Sequence, residues 1–193
     1  MRRLILKMSI SLDGFVAGPN GEADWMFRHR GEDGHRWVED TLWHAGLHLM
    51  GSRSYFATAG YWSTSADSLA VPMNEIPKAV FTRQKSLERV VADPASAASR
   101  SWAEAEVLNG DLAAEIARLK EQAGKDILAH GGAEFAQSLA ASGLVDEYRL
   151  MVHPVVLGKG LALFAQLPKP LDLELRSTTL FRAGTAAHVY RPV

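Results

Sequence analysis

The sequence predicts an α/β fold: a central, mostly parallel sheet flanked by helices, with an antiparallel C-terminal edge. Three observations carry this. Over the first two thirds of the chain, short apolar runs alternate with stretches of helical period. Two of those runs end in glycine just before a helix start, at Leu49-Met50-Gly51 and at Leu128-Ala129-His130-Gly131. In the last third the period becomes two, with Leu171, Leu173 and Leu175 alternating with Asp172, Glu174 and Arg176.

Taken in order, residues 3–12 read as a strand. Arg2 and Arg3 precede Leu4-Ile5-Leu6, but Lys7 and then Asp13 break the run. It is too short for a signal peptide, and a membrane helix needs about 20 apolar residues. Residues 33–45 read as a helix, with Val38, Leu42 and Ala45 at i, i+4 and i+7 and Gly46 as its C-terminal cap. A strand over 47–50 ends at Gly51, and a short helix over 54–59 ends at Gly60. Further strands are expected at 78–82 and 106–108. Asp111 is placed to cap a helix marked by Leu112, Ile116, Leu119 and Ala123. A strand over 126–130 runs into Gly131-Gly132 and a helix that ends at Gly143. Residues 148–157 read as a strand. The strand around 171–175 pairs with one over 185–190 through a turn at Ala183-Gly184. Gly18 to Gly34, Ser63 to Pro77 and Val91 to Ser101 read as loops.

The 193 residues suit one domain, 1–193. Apolar residues at 47% and charged residues at 22% exclude a disordered or fibrous chain. A net charge of −1 gives no basic field for nucleic acid. The absence of cysteine excludes disulfides, thiolate zinc sites, iron–sulfur clusters and cysteine nucleophiles, and fits a reducing compartment. The seven histidines have no metal-site spacing, and no G-x-S-x-G elbow occurs. Gly158-Lys159-Gly160 is the only G-x-G, and Leu163 stands where a dinucleotide fingerprint needs its last glycine. There is no P-loop.

Parallel strand ends fall on one side of a sheet, where ligands bind. Here they carry Gly51-Ser52-Arg53-Ser54, Thr82-Arg83 and Gly131-Gly132. Glycine lets backbone approach a ligand, helix-start N–H groups face an anion, and Arg53 supplies a guanidinium. These features suit a phosphate-rich ligand such as a dinucleotide, or ordinary capped turns. Asp13 and His130 are candidates for acid–base work, each with a plainer reading as a turn or packing residue. Trp25, Trp37, Trp43 and Trp62 either line a pocket for a flat ring or pack a core.

Read together, these stretches resemble the dihydrofolate reductase-like superfamily, above all the riboflavin-biosynthesis reductase domain and its stand-alone bacterial relatives. Ser11-Leu12-Asp13-Gly14-Phe15 is similar to the family's S-L-D-G-[FY] turn, and Met50-Gly51-Ser52-Arg53-Ser54-Tyr55 to its M-G-R-x-T-[WY] stretch. Gly131-Gly132 with the following helix resembles the G-G-x-x-[FL] turn. Leu144-Val145-Asp146-Glu147 and Pro154-Val155-Val156-Leu157-Gly158-Lys159-Gly160, then Leu163-Phe164, resemble its later motifs.

The resemblance implies a dihydrofolate reductase-like sheet of about eight strands closed by the C-terminal hairpin, and NADPH as hydride donor. It assigns Gly51, Ser52, Arg53 and Ser54 to the pyrophosphate, and Thr82 and Arg83 to the adenosine end and its 2′-phosphate. Gly131, Gly132, Ala133, Glu134 and Phe135 would complete the cleft, and Val16 and Ala17 would border the nicotinamide. It marks Gly131–Gly132 as a candidate cis peptide. It also implies a small heterocyclic or sugar substrate reduced at C=N or C=O, a cytoplasmic location and a homodimer. The run near Tyr148 and the Pro154–Leu157 run are candidates for that interface or for core. The departures are informative. The acidic residue that dihydrofolate reductases keep on their first helix falls at or near His35, with Asp33 two residues away. Ser52 stands where the family has arginine, with Arg53 next. The competing readings are a true dihydrofolate reductase and a non-catalytic NADP-binding or assembly protein.

Overall fold

A computed structural model of the chain describes every residue except 30, 91, 92 and 94. In chain order the elements are β1 (Leu4–Ser11), β2 (Phe15–Ala17), a 3-10 turn (Asp24–Phe27), α1 (Glu32–Trp43), β3 (Ala45–Gly51), α2 (Ser52–Thr64), α3 (Ala70–Glu75), β4 (Lys78–Phe81), α4 (Ala97–Ala103), β5 (Glu106–Leu108), α5 (Leu112–Glu121), β6 (Asp126–Ala129), α6 (Ala133–Ser142), β7 (Glu147–His153), β8 (Leu161–Ala162), β9 (Leu173–Leu180) and β10 (Ala186–Pro192). All strands but β2 and β8 build an eight-stranded, mostly parallel sheet, the α/β class that the sequence predicts. The chain divides into two compact units, residues 1–2 with 38–132 and residues 3–37 with 133–193.

In the first unit the strand order is β5-β4-β3-β6, every pair parallel. Strands with helices over both faces are apolar almost throughout. Accordingly Leu47, Leu49, Met50, Ala79, Val80, Ile127 and Leu128 are all buried. Tyr55 and Ala59 of α2, Trp102 of α4, and Ile116 and Leu119 of α5 supply the helical side of this core. Tyr55 donates its hydroxyl to the Trp102 carbonyl at 3.1 Å. Lys78 is buried, yet its ammonium donates to Asn74 O, Ile76 O and Ser101 Oγ and lies 5.1 Å from the Trp102 ring centroid. Burial brings its pKa down to about 8. Asp111 caps α5 as expected, accepting from the Ala114 N–H at 3.0 Å.

In the second unit β1 and β7 are parallel, β7 and β10 antiparallel, and β10 and β9 antiparallel. This is the predicted switch in the last third. A small antiparallel pair, β2 with β8, stands apart from the large sheet. A Cβ on Gly160 would collide there with the carbonyl oxygen of Ala17, so only glycine fits that approach. Glu147 is buried at the start of β7, where Arg3, Arg149 and Arg191 converge on its carboxylate at 2.9–3.0 Å. Burial pulls its pKa up, but the three guanidiniums outweigh that and hold it below the ordinary value.

Several local expectations need correction. Gly46 does not cap a helix. α1 stops at Trp43, and Gly46 lies inside β3 because Lys125 crosses there, 3.0 Å from where a Cβ would stand. The helix expected over 54–59 runs from Ser52 to Thr64. Gly60 does not end it, and its carbonyl accepts from the Ser63 and Thr64 hydroxyls. The loop over 63–77 contains α3, and 18–34 contains the 3-10 turn and the start of α1. Of the loop expected over 91–101, residues 91, 92 and 94 lie outside the described residues, while Ala97–Ala103 is α4. The strand expected over 148–157 ends at His153, and Val156 is exposed at 65% instead of packing in a core. The Gly131–Gly132 bond is trans, as are all described peptide bonds. The turn is made instead by positive φ at both glycines, +109° and +80°.

Candidate functional site

The first unit gathers three parallel strand ends along one edge. Gly51 closes β3 beside Phe81 of β4, and the chain after β6 stays in step through the His130 N–H donating to Leu49 O at 3.1 Å. At each end the local sequence forces a turn. Gly51 is extended (φ −76°, ψ 154°) and, having no side chain, supplies no cap to α2, which begins at Ser52. Arg53 is exposed on the first turn of α2, and Ser54 is half-buried. After β4, Thr82 is buried. Its N–H donates to Leu108 O and its hydroxyl accepts from the Gln84 N–H at 3.1 Å, so it braces the turn that leaves Arg83 exposed. After β6, Gly131 turns with a positive φ and lies against α2. A Cβ on it would stand 2.8 Å from Ser54 Oγ. The structure thus brings Ser54 and Gly131 together, two positions that the sequence could only place on separate crossings.

His130 has a partner that the sequence reading did not pair with it. Its Nε2 lies 3.0 Å from Nδ1 of His48, which is fully buried in β3. His44, four residues from His48, instead donates its Nδ1–H to the Asp40 carbonyl at 2.6 Å. Among the described residues no group of three or more His, Cys, Asp or Glu side chains could hold a metal ion. A cavity of ≈ 740 Å³ also belongs to this unit. It lies where β4 and β5 begin, lined by Leu47, Lys78, Ser101 and Glu106 among others, away from the strand ends that carry the glycines.

The second unit holds the remaining candidates. Asp13 is exposed, and its carboxylate is fully engaged. It accepts from the Ser11 hydroxyl at 2.6 Å, the Gly158 N–H at 2.7 Å and the Leu157 N–H at 3.2 Å. The Ser11 hydroxyl first, then the backbone donors, hold its pKa below the usual carboxylate value. An ionised carboxylate of this kind accepts hydrogen bonds and has no proton to give at neutral pH. Val16 and Ala17 are buried in β2. Ala133 is half-buried, Glu134 exposed and Phe135 buried on the first turn of α6. Asp33 accepts from the Gly34 and Arg182 N–H groups, which ties the start of α1 to the hairpin turn.

Two polar residues of this unit, His153 and Lys7, are not among the functional candidates of the sequence. His153 is 3% exposed, and neither ring nitrogen has a hydrogen-bond partner among the described residues. Trp25 packs edge-on against it at 5.3 Å. Burial, then repulsion of its charged form by Lys7 and His29, lowers its pKa to about 4. Burial likewise brings Lys7 to about 8. The available signal was a lone lysine inside the apolar run Leu4–Met8, which read only as an interruption. The four tryptophans of the N-terminal third have separate surroundings: Trp25 on His153, Trp37 on Phe181, Trp62 on Tyr61, and Trp43 partly exposed.

A dinucleotide needs N–H donors and cations along its phosphates, and backbone that no Cβ obstructs. The first unit offers a helix start at Ser52 that follows a glycine, Gly131 held against that helix, and exposed Arg53 and Arg83. These residues fit such a group.

Residues 2–187 match the family model described as the RibD C-terminal domain. YyaP of Bacillus subtilis (strain 168) is 33% identical over 193 residues, covering 98% of this chain and 94% of that protein. Among solved structures, RibD of Acinetobacter baumannii has a TM-score of 0.71 at 18% identity over 100% of this chain and 58% of its own. Dihydrofolate reductase of Enterococcus faecalis, complexed with NADP(H), has a TM-score of 0.64 at 11% identity over 98% and 96%. At these identities the two structural likenesses establish the dihydrofolate reductase-like fold. No described helix is long and apolar enough to cross a membrane.

Proposed function

Because the chain belongs to the RibD C-terminal domain family, we propose that it is an NADPH-dependent reductase that delivers hydride to a C=N or C=O carbon of a small heterocyclic or sugar substrate. The observation that carries this reading is the Gly131 turn held against Ser54 where three parallel strands end. Gly51, Ser52, Arg53 and Ser54 bind the pyrophosphate, with the Gly131-Gly132 turn leaving room for it. Thr82 shapes the turn that presents Arg83 to the 2′-phosphate. Val16, Ala17, Ala133, Glu134 and Phe135 occupy the family's remaining cofactor positions. The bound nicotinamide supplies the hydride.

The chain's own residues divide the other tasks. Asp13 clamps the Leu157–Gly158 turn to the end of β1 in its ionised form, so His130 is the better candidate to carry the proton. Lys7, Trp25 and His153 give the second unit a desolvated polar face suited to a substrate carbonyl or hydroxyl. A folate substrate is disfavoured, because Asp33, the acid nearest the expected pterin position, is already engaged by two backbone donors. A cytoplasmic location and a homodimer accompany this reading as proposals, and light scattering tests the second.

The test is a fluorescence titration with NADPH and NADH. The wild type is expected to prefer NADPH. Arg53→Ala is expected to weaken NADPH about tenfold, the worth of one charge-assisted hydrogen bond. An unchanged constant removes the phosphate contact, and no binding of either nucleotide removes the reductase. Turnover of dihydrofolate with tight methotrexate binding would favour the folate enzyme instead. NADPH binding with no carbonyl or imine ever reduced would favour a non-catalytic module.

A further inference from the structure

We propose that His48 is a positioning residue that holds His130 as its Nε2–H tautomer, so that any proton His130 exchanges passes through Nδ1. The proposal deepens the reductase reading and rests on it for the identity of the ligand. The geometry of the pair stands by itself.

His48 sits inside β3, in register with Lys78 of β4 and Leu128 of β6, and has no exposed surface. Its Nε2 lies 3.3 Å from the Pro72 carbonyl at α3. A carbonyl only accepts, so that nitrogen carries the hydrogen. A neutral imidazole has one N–H, which leaves Nδ1 of His48 as an acceptor. The contact at 3.0 Å is then a donation from His130 Nε2–H. The ring planes are 85° apart with centroids at 4.8 Å. His48 stays neutral because burial disfavours its charged form. Repulsion of that charged form by His130, in the turn after β6, and by Lys78 of β4 acts the same way. The backbone of His130 is fixed independently by its N–H bond to Leu49 O.

The chain of bonds runs from the Pro72 carbonyl to His48 to His130. The last bond is made equally well by neutral His130 and by its imidazolium, since both carry Nε2–H. The ring therefore keeps one orientation while it gains or loses the Nδ1 proton. In the proposed reduction, the imidazolium gives its Nδ1 proton to the nitrogen or oxygen of the C=N or C=O group. A bound nicotinamide would supply the hydride that balances this proton, and His130 would return to neutral Nε2–H. This is an acid that needs no reorientation between turnovers.

The experiment is a long-range proton–nitrogen NMR spectrum of histidine-labelled protein without ligand. His130→Gln and His48→Asn assign the resonances. The wild type is expected to show neutral His130 as the Nε2–H tautomer and His48 neutral throughout the folded pH range. His48→Asn, whose amide oxygen stands near the former Nδ1, is expected to retain that tautomer. His48→Leu is expected to reduce its excess over the other tautomer about fivefold, the ratio set by one hydrogen bond. An Nδ1–H tautomer in the wild type, or a His48→Leu spectrum unchanged at His130, would overturn the proposal. The wild-type spectrum decides even where His48→Leu does not fold. NADPH titration of the same sample separates the two claims. The expected tautomer without NADPH binding upholds the histidine pair and refutes the reductase.

Discussion

Gly131→Ala tests the strand-end turn where local backbone and long-range packing meet. At φ +109° a residue with a Cβ is strained by about 1–3 kcal/mol. The new methyl would also stand 2.8 Å from Ser54 Oγ and 3.4 Å from Ser54 Cβ. The second distance is tolerable, whereas the first forces the hydroxyl out of its rotamer at about 1 kcal/mol. The sum is about 3 kcal/mol, which for a chain of 193 residues lowers Tm by about 9 °C. Ser54→Ala removes the offending oxygen and leaves the backbone strain in place. The double variant is therefore expected to recover about 1 kcal/mol relative to the sum of the single changes. Thermal unfolding of the four proteins measures this cycle. NADPH titration should show about a tenfold loss for Gly131→Ala, since a displaced turn no longer fits the phosphates. A Gly131→Ala protein within about 1 °C of the wild type would refute the strain argument. A cycle with no coupling would refute the contact between the two crossings.

Other perturbations read other parts of the molecule. His153 has a folded pKa of about 4 against about 6.5 when unfolded, so the unfolded chain binds more protons between these values. Stability should fall as the pH drops from about 6.5 towards 4, and His153→Phe should remove that slope in urea unfolding; parallel slopes in both proteins would show that the ring is not held neutral. Asp13 has a depressed folded pKa, so its contribution is present above the ordinary carboxylate value and lost as the pH falls through the folded one. Asp13→Asn should weaken the wild type's acid sensitivity and increase hydrogen exchange at the Leu157 and Gly158 amides. Unchanged protection there would contradict the clamp. Glu147→Gln leaves three guanidiniums around a neutral amide. Arg3 and Arg191 are more than two fifths exposed and can turn to water, so the cost falls at about 2 kcal/mol, or roughly 6 °C in Tm. A Tm unchanged by this substitution would mean that the buried carboxylate contributes nothing net.

The family reading and the site geometry differ in what they support. Family membership rests on a match that runs from residue 2 to residue 187. The assignment of chemistry rests on fewer groups, and the structure redistributes them. Asp13 and His130 stood as equal candidates in the sequence. The three donors on Asp13 make it a holder of the Leu157–Gly158 turn. The buried imidazole of His48 gives His130 a fixed partner, and the proposed proton transfer is assigned to His130 on that ground.

Features that depend on near neighbours are legible in the sequence. Apolar runs followed by glycine and a helix start identified β3 with α2 and β6 with α6. Alternation with period two identified the C-terminal hairpin, and Asp111 announced its helix by the spacing of a cap. Helices without a clear apolar stripe were not legible: α3 is six residues long and begins Ala-Val-Pro, and α4 is built largely of alanine and serine. The register of the strands, and with it which distant side chains meet, comes from long-range packing. His48 finds His130 across 82 residues, and Asp13 reaches Leu157 across 144. Ser54 closes on Gly131 only because β3 and β6 are paired in parallel, so that the turns following both strands leave the same edge. Local period fixes which face a residue takes. It carries no information about which strand lies alongside, because that choice is set by the burial of the whole sheet.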